Sequence, residues 1–422
     1  MFFTRTAMTT LIFMALVVLF SGTVAARTYY VDQNDPRARD KNAGTEAAPW
    51  KTLNHAATVL RAGDTVRVAE GTYNVGASPN WASPAVGPAH AGTADAPITF
   101  RACPGHRVTI ETSGGQAAIG SNRDYVVWEG FVVDMANRMK GIIIFGARGC
   151  VIRNCEVKGN YVDSGDNHDG IRIERAPDCR IHHNVIHGIK GGGPNSAGIK
   201  VYSKGLKNVI VEDNYIHDNT AGVMDKDFGV DNTYRRNYFT GNRLDFYGNN
   251  QGGPGRYYIH DNVFDGKLDL HGGNTGTEVH DNLFRSGTLV GAWAGGVTDT
   301  NVWNNIVISQ ARSIMACENK RQSLTSALAF MDFNLYDAQP KYDFGVYTPD
   351  RQRFSLEQMR AKGFEENSHI VSSSSDVFED ETSYRLLPRW RRAGRRRDSP
   401  GPNDIALVLD ISRYGPAAVE SE

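Results

Sequence analysis

One asparagine, met repeatedly in front of an apolar pair, constrains this chain more than any other feature. Aligned on it stand RNCEV at Asn154, HNVI at Asn184, DNYI at Asn214, RNYF at Asn237, DNVF at Asn262, DNLF at Asn282 and NNIV at Asn305. The intervals are 30, 30, 23, 25, 20 and 23 residues. A loose period of this size with variable loops is the signature of a solenoid, whose repeats bury their apolar faces only by stacking.

The columns beside the asparagine carry the same message. Three positions before it stand Val151, Ile181, Val211, Tyr234, Ile259, Val279 and Val302. Two positions after it stand Glu156, Ile186, Ile216, Phe239, Phe264, Phe284 and Val307, with Glu156 the one polar exception. Runs this short, β-branched and aromatic, are strands rather than helices. Stacked coils turn such columns into continuous inner ladders, about 4.8 Å per coil. The asparagine is a turn position whose side-chain amide hydrogen-bonds along the stack. The spacing therefore predicts an all-β fold, a right-handed parallel β-helix solenoid, the hand following from the crossover rule.

Solenoid ends need covers. WKTLNHAATVLRAGD (50–64) has helical spacing at Leu53, Ala56, Ala57 and Leu60 and predicts an N-terminal capping helix. The expected organisation is a leader over 1–26, an N-terminal strand and cap over 27–100, the β-helix over 101–340, and a C-terminal cap with an irregular tail over 341–422. The leader is read from Arg5, the apolar stretch Met8 to Phe20, and small residues before a cleavage point after Ala26. It predicts a secreted protein with no membrane contact after cleavage. An uncleaved anchor is the alternative, although the stretch is short for a bilayer span. The formal charge of −1 gives no global field for nucleic acid, and the chain is expected to be a monomer. Arg389 to Arg397 holds six arginines in nine residues, readable as a polyanion patch or a solvated tail. Five cysteines are too few to staple the fold; Cys150 and Cys179 fall at equivalent places in successive coils, as a disulfide or a buried thiol pair.

The stretch YYVDQNDPRARDKNAGTEAAPWKTLNHAATVLRAGDTVRVAEGTY (29–73) resembles the opening of secreted bacterial right-handed β-helix proteins of the pectate-lyase-like superfamily. The resemblance extends to roughly residue 335. It implies the β-helix fold; the superfamily hosts lyases, hydrolases, epimerases and proteins without known activity, so function has to come from the site.

Between the asparagine rungs lies a second strand: GIRIE (170–174), GIKVY (198–202), GVMDK (222–226), LDFY (244–247), LDLH (268–271) and LVGAW (289–293). Alternation turns Ile171, Ile173, Ile199, Val201, Val223, Leu244, Phe246, Leu268 and Leu270 inward. One outward column then runs Arg172, Lys200, Met224, Asp245, Asp269. The other runs Glu174, Tyr202, Lys226, Tyr247, His271, Trp293. Aromatic rings that stack on sugars and cations that pair with uronate carboxylates suit an acidic polysaccharide; an ordinary solvated face is the plainer account. Glu174, Tyr202, Tyr247, Asp245, His271 and Trp293 are the expected substrate contacts.

Two long loops, GNYVDSGDNHD (159–169) and GIKGGGPNSA (188–197), would rise beside this strip as walls. Asp163, Asp166 and Asp169 offer hard oxygen ligands for Ca²⁺, or form a solvated Asx turn. His168 has no second histidine at zinc spacing. Acidic polysaccharides are cut by β-elimination, in which a base takes the proton alpha to the carboxylate and a cation stabilises the enolate. The arrangement resembles the lysine-based pectate lyases, which implies Lys226 as first and Lys200 as second choice of base, with Arg172 beside them. Such a lysine needs a neighbouring cation to lower its pKa, whereas Asp225 and Asp227 would raise that of Lys226. HDG (168–170) resembles the Asp-His-Asp signature of alginate C5-epimerases and makes His168 a rival base. Hydrolysis by Glu174, Asp245 and Asp269, or carbohydrate binding without catalysis, are the other classes; the strip lacks an adjacent Asp-Asp pair.

Overall fold

The computed structural model describes residues 25–114, 116–136, 139–159, 167–191, 195–249, 253–285, 290–293, 297–308, 313–317, 327–337, 343–346, 353–380, 384–395 and 405–416. Most of the expected leader lies outside them. Each coil sends one strand into each of three sheets, two of twelve strands and one of eleven among the described residues. Successive coils pair in parallel, as in Asp169–Glu174 beside Ala197–Tyr202 beside Ala221–Lys226. The exception is the closing pair Asp343–Val346 with Arg353–Phe354, which is antiparallel. The chain is a parallel β-helix, as its repeats require.

Alternation explains the core. Ile142, Ile171, Ile199, Val223, Phe246 and Leu268 share one column of the eleven-stranded sheet, all fully buried. On another wall Phe239, Phe264 and Phe284 stack with centroids 4.9 Å apart. Parallel register makes each side chain meet its own kind in the next coil, so a single residue type can be repeated up the stack at favourable ring offset.

The asparagine column is a buried ladder. The Nδ2 atoms of Asn184, Asn214, Asn237, Asn262, Asn282 and Asn305 donate to the Oδ1 of the next rung at 2.9 to 3.1 Å, ending on Asn334. Each Oδ1 also accepts the backbone N–H of the rung before it. The preceding residue turns the chain with positive φ, from His183 at 56° to Phe333 at 60°. The first rung differs from the sequence alignment by one residue. Cys155 N, not Asn154, donates to Asn184 Oδ1 at 2.9 Å, and Val157 pairs with Ile186. Glu156 was an exception to the apolar column only because that coil was aligned one place early.

The winding is longer than 101–340. Thr28–Val31 and Thr65–Val68 pair in one sheet ahead of Ile98–Ala102, and His369–Val371 pairs beside Leu335–Asp337. A helix spans Leu53–Val59, started by Thr52, whose side chain accepts from His55 N, and it buries Leu53, Ala56 and Ala57. The tail is more ordered than expected. Val263, Leu283, Ile306 and Leu335 form an outer apolar stripe that Val377, Phe378, Leu386, Ile405 and Val408 cover. The arginine run is docked only at its far end: Arg395 lies over Trp303 at 4.9 Å and Phe330 at 4.5 Å, whereas Arg389, which meets Asp376 at 3.2 Å, Arg391 and Arg392 are exposed. Arg396 and Arg397 lie outside the described residues. Cys150 and Cys179 are free buried thiols, the second of the two expected arrangements. Among the described residues no helix is long and apolar enough to cross a membrane.

Candidate active site

The site forms on the eleven-stranded sheet, beside the described ends of the two long loops at 167–169 and 195–197. Four consecutive strands of this sheet carry glycine at their second position, a small step: KG, DG, AG and AG at 140–141, 169–170, 197–198 and 221–222. A Cβ on Gly170 would lie 2.6 Å from Gly198 O, and one on Gly198 would lie 2.8 Å from Gly222 O. This glycine ladder brings backbone against backbone, which only a residue without a side chain permits. The step also shifts the alternation. Counted strictly from Ile171, Asp169 would share the inner face; instead its carboxylate meets Arg172 on the outside.

Asp169 is the hub. One oxygen is 2.7 Å from Lys200 Nζ and the other accepts from Arg172 at 2.8 Å. Arg172 also donates to Glu174 at 2.7 Å. Lys200, only 1% exposed, further contacts the Asn195 carbonyl and Asn167 Oδ1. Burial pushes its ammonium below the ordinary lysine range, Asp169 opposes, and the positive charges of Arg172 and Lys226 add to the fall. One coil away, Lys226 Nζ meets Asn195 Oδ1 at 3.4 Å and lies 5.7 Å from the Tyr202 ring, over which Arg172 also sits at 4.9 Å. Burial, with Asp227 and Glu174, pushes the Tyr202 hydroxyl up, so it keeps its proton. Arg172, Glu174, Tyr202 and Asp227 open onto a cavity of about 690 Å³ that Trp81, Arg175 and Lys204 complete.

The register confirms the column Arg172, Lys200, Met224 and the column Glu174, Tyr202, Lys226. It corrects both beyond that point. Tyr247, not Asp245, follows Met224, and Asn249 follows Lys226 ahead of His271. The slip came from counting from Leu244, which pairs with Ala221 at the glycine step. Asp245 is buried under the turn, accepting from Asn242 Nδ2 at 3.0 Å and Gly266 N at 2.5 Å, and burial pushes it up to about 7. It is not a substrate contact. Asp225 points inside the coil, where Tyr234 Oη donates at 2.5 Å and Asn232 Nδ2 at 2.8 Å, so it does not face Lys226.

His168 is buried: its N–H donates to Ser196 Oγ at 3.2 Å, and a side chain at Gly191 would meet its ring at 3.1 Å. Tyr247 and His271 pack edge to face at 5.3 Å further along the same face, and burial with Lys267 lowers the histidine. Asp269 pairs with Lys267 at 3.1 Å. The Trp293 side chain and both Asp163 and Asp166 lie outside the described residues. Asp169, the remaining expected calcium ligand, already neutralises two cations. No group of three His, Cys, Asp or Glu suited to a metal occurs among the described residues. Asp169 is thus committed to Arg172 and Lys200, and the other two expected calcium ligands lie outside the described residues.

Sequence reasoning missed Lys140, which shares the Asp169 column one coil earlier. Its Nζ donates to Gln116 Oε1 at 2.8 Å, and burial, then Arg172, pushes it down to about 8. The signal was present: KGIIIF aligns on DGIRIE once the glycine, rather than the asparagine, sets the register. Trp81, Arg175 and Lys204 were also missed, because they stand on turns outside any repeated column.

Comparison with known proteins places the fold. The family described as Pel9A-like, right-handed beta helix region, matches residues 29–251. The solved structure of pectate lyase Pel9A aligns with a TM-score of 0.51 at 16% identity, covering 69% of this chain and 77% of that one. The PL6 family alginate lyase AlyGC aligns at 0.53 with 15% identity over 88% of this chain and 59% of its own. A rhamnogalacturonan lyase aligns at 0.50 with 13% identity over 93% of this chain and all of its own length, 100%. At these identities the likeness is one of fold. A 75-residue stretch is 37% identical to the uncharacterized protein YwoF of Bacillus subtilis (strain 168), spanning 18% of this chain and 14% of that protein.

Proposed function

The chain belongs to the Pel9A-like right-handed β-helix family, and from that premise we propose that it cleaves a uronate-containing polysaccharide by β-elimination. The observation that carries the proposal is the register that gathers Asp169, Arg172, Lys200, Tyr202 and Lys226 from three coils, with Arg172 and Tyr202 lining the cavity and Lys200 buried against Asp169. The family's fold is shared with solved pectate and alginate lyases, which act on such polymers by name. The apolar segment Met8 to Phe20 supports an exported enzyme that meets its polymer outside the cell.

The roles follow from electrostatics. Lys200 takes the proton alpha to the uronate carboxylate, because its environment disfavours the ammonium and raises the fraction of free amine. This reverses the order expected from sequence. Lys226 is the more open of the two and, with Arg172, holds the carboxylate and stabilises the enolate. The pair of electrons left by the proton forms the C=C bond as the bond to the glycosidic oxygen breaks. Tyr202, two positions along the strand on the same face, donates its proton to that oxygen. Lys200 reaches the sugar by turning its Nζ from the Asn195 carbonyl toward the cavity. Asp169 keeps that Nζ oriented, and Lys140 adds positive charge behind it.

The test is incubation with pectate, alginate and glycosaminoglycans, followed by detection of unsaturated ends in the ultraviolet. Lys200→Ala abolishes them, while Lys226→Ala both raises KM and lowers kcat without abolishing the product. Reducing ends without ultraviolet absorbance would mean hydrolysis, and binding without new ends a lectin-like role. Altered uronate composition without cleavage would mean epimerisation. Each of these overturns the proposal.

A further inference from the structure

Trp81 is one of two large apolar side chains left exposed among the described residues, at 48%. A single exposed apolar side chain is ordinary, but an indole at the rim of a charged cavity offers a large ring face with a polar tip, suited to packing on a ligand. Its presentation is built. Ala82 N donates to Asn80 Oδ1 at 2.9 Å, and Asn80 bridges Ser83, making a tight turn with Trp81 at its tip. Asn122 Nδ2 fixes that turn to the coil by donating to Ala82 O at 3.0 Å and to Phe145 O at 3.2 Å. The indole and the Phe145 ring meet at 5.2 Å with planes at 84°, and Arg175 lies over the Phe145 ring at 5.4 Å. The indole thus packs at a right angle to Phe145, at the border of the cavity that Arg172 and Tyr202 also line.

The charges there point to the occupant. Arg172 and Glu174 pair with each other, and Asp227 hydrogen-bonds Tyr202. Arg175 and Lys204 are both exposed, and both lie on the cavity wall beyond the groups that handle the proton. We infer that Trp81, Arg175 and Lys204 form a second sugar subsite that binds a neighbouring uronate of the same chain, its ring on the indole and its carboxylate between the two cations. This inference rests on the elimination reading and deepens it: the preferred substrate is a run of consecutive uronates, not a polymer in which uronates alternate with neutral sugars.

Kinetics on oligosaccharides of defined length test it. With homopolymeric hexauronates, Trp81→Ala and Arg175→Ala each raise KM about tenfold, as expected for loss of one stacking or ion-pair contact, and leave kcat nearly unchanged. The same variants change little on the shortest substrate cleaved, which does not reach the subsite. Trp81→Phe retains most of the affinity, which separates loss of the platform from a folding defect. Titrating hexauronate into Lys200→Ala protein changes tryptophan fluorescence, and Trp81→Phe removes most of that change. A wild-type enzyme that cleaves polyuronates while Trp81→Ala and Arg175→Ala match its KM overturns the subsite alone. So does a preference for alternating polymers. A wild-type protein that cleaves no polyuronate overturns both the subsite and the elimination reading.

Discussion

Replacing Asp169 with asparagine keeps the shape of the hub and removes its charge. Arg172 retains Glu174 at 2.7 Å, but Lys200 is left with only neutral oxygens, the Asn195 carbonyl and Asn167 Oδ1. At 1% exposure, bulk water does little to solvate it where it stands. Breaking a buried pair by removing one partner costs about 3–5 kcal/mol when the other stays charged. Lysine has an escape, since it can release its proton; for an ordinary lysine at pH 7 this costs about 4.6 kcal/mol, and less for one already pushed down. The two limits together put the loss for Asp169→Asn at about 3–4 kcal/mol near neutral pH. The sign of its pH dependence is fixed. The variant's folded Lys200 binds fewer protons than the wild type's, so the stability gap narrows as pH rises through the alkaline range. Urea unfolding of both proteins between about pH 6 and about pH 9 measures it. A gap under about 1 kcal/mol, the size of an exposed ion pair, or one constant across that range, would refute the hub.

Other expectations follow from the same contacts. Asn237→Ala removes five ladder hydrogen bonds to Asn214, Val211, Arg235 and Asn262, and should cost about 3–5 kcal/mol in urea, against about 1 kcal/mol or less for Asn301→Ala, which is half-buried and loses one bond to Asp299 O. Asp225, Asp245 and Glu365 are each pushed up by burial to about 7, so the fold retains protons that the unfolded chain has lost. Stability is therefore greatest in mild acid and falls as pH climbs toward 7; Asp225→Asn flattens that fall, and a steeper one would contradict the burial. Elimination should proceed with a chelator present, because Arg172 and Lys226 supply the positive charge; activity lost to a chelator and restored by calcium would contradict this.

The fold was legible because the solenoid repeats its reasons. Asn184 to Asn305 recur where a buried amide must serve two coils, and the columns Ile186, Ile216 and Phe239 recur where the interior must be filled. What failed was register wherever the repeat changes its marker. At Asn154 a cysteine takes the rung, and at Leu244 the glycine step has gone, so a count anchored on the neighbouring pattern slipped. Asp225 was taken for a surface group because acidic residues are rarely buried; Asn232 and Tyr234, which satisfy it, lie a turn later in sequence. The site was legible where it rides on the sheet, at Arg172, Lys200, Tyr202 and Lys226. It was not legible at Trp81 or Arg175, since loops carry no period to align. Lys140 lay between these cases, visible only when the glycine column replaces the asparagine as ruler.

The most direct measurement is ultraviolet absorbance during digestion of a homopolymeric uronate by wild-type and Lys200→Ala protein. Steady formation of unsaturated ends by the wild type, absent from the folded variant, is the predicted result. Cleavage without that absorbance, or undiminished absorbance from Lys200→Ala, would contradict it.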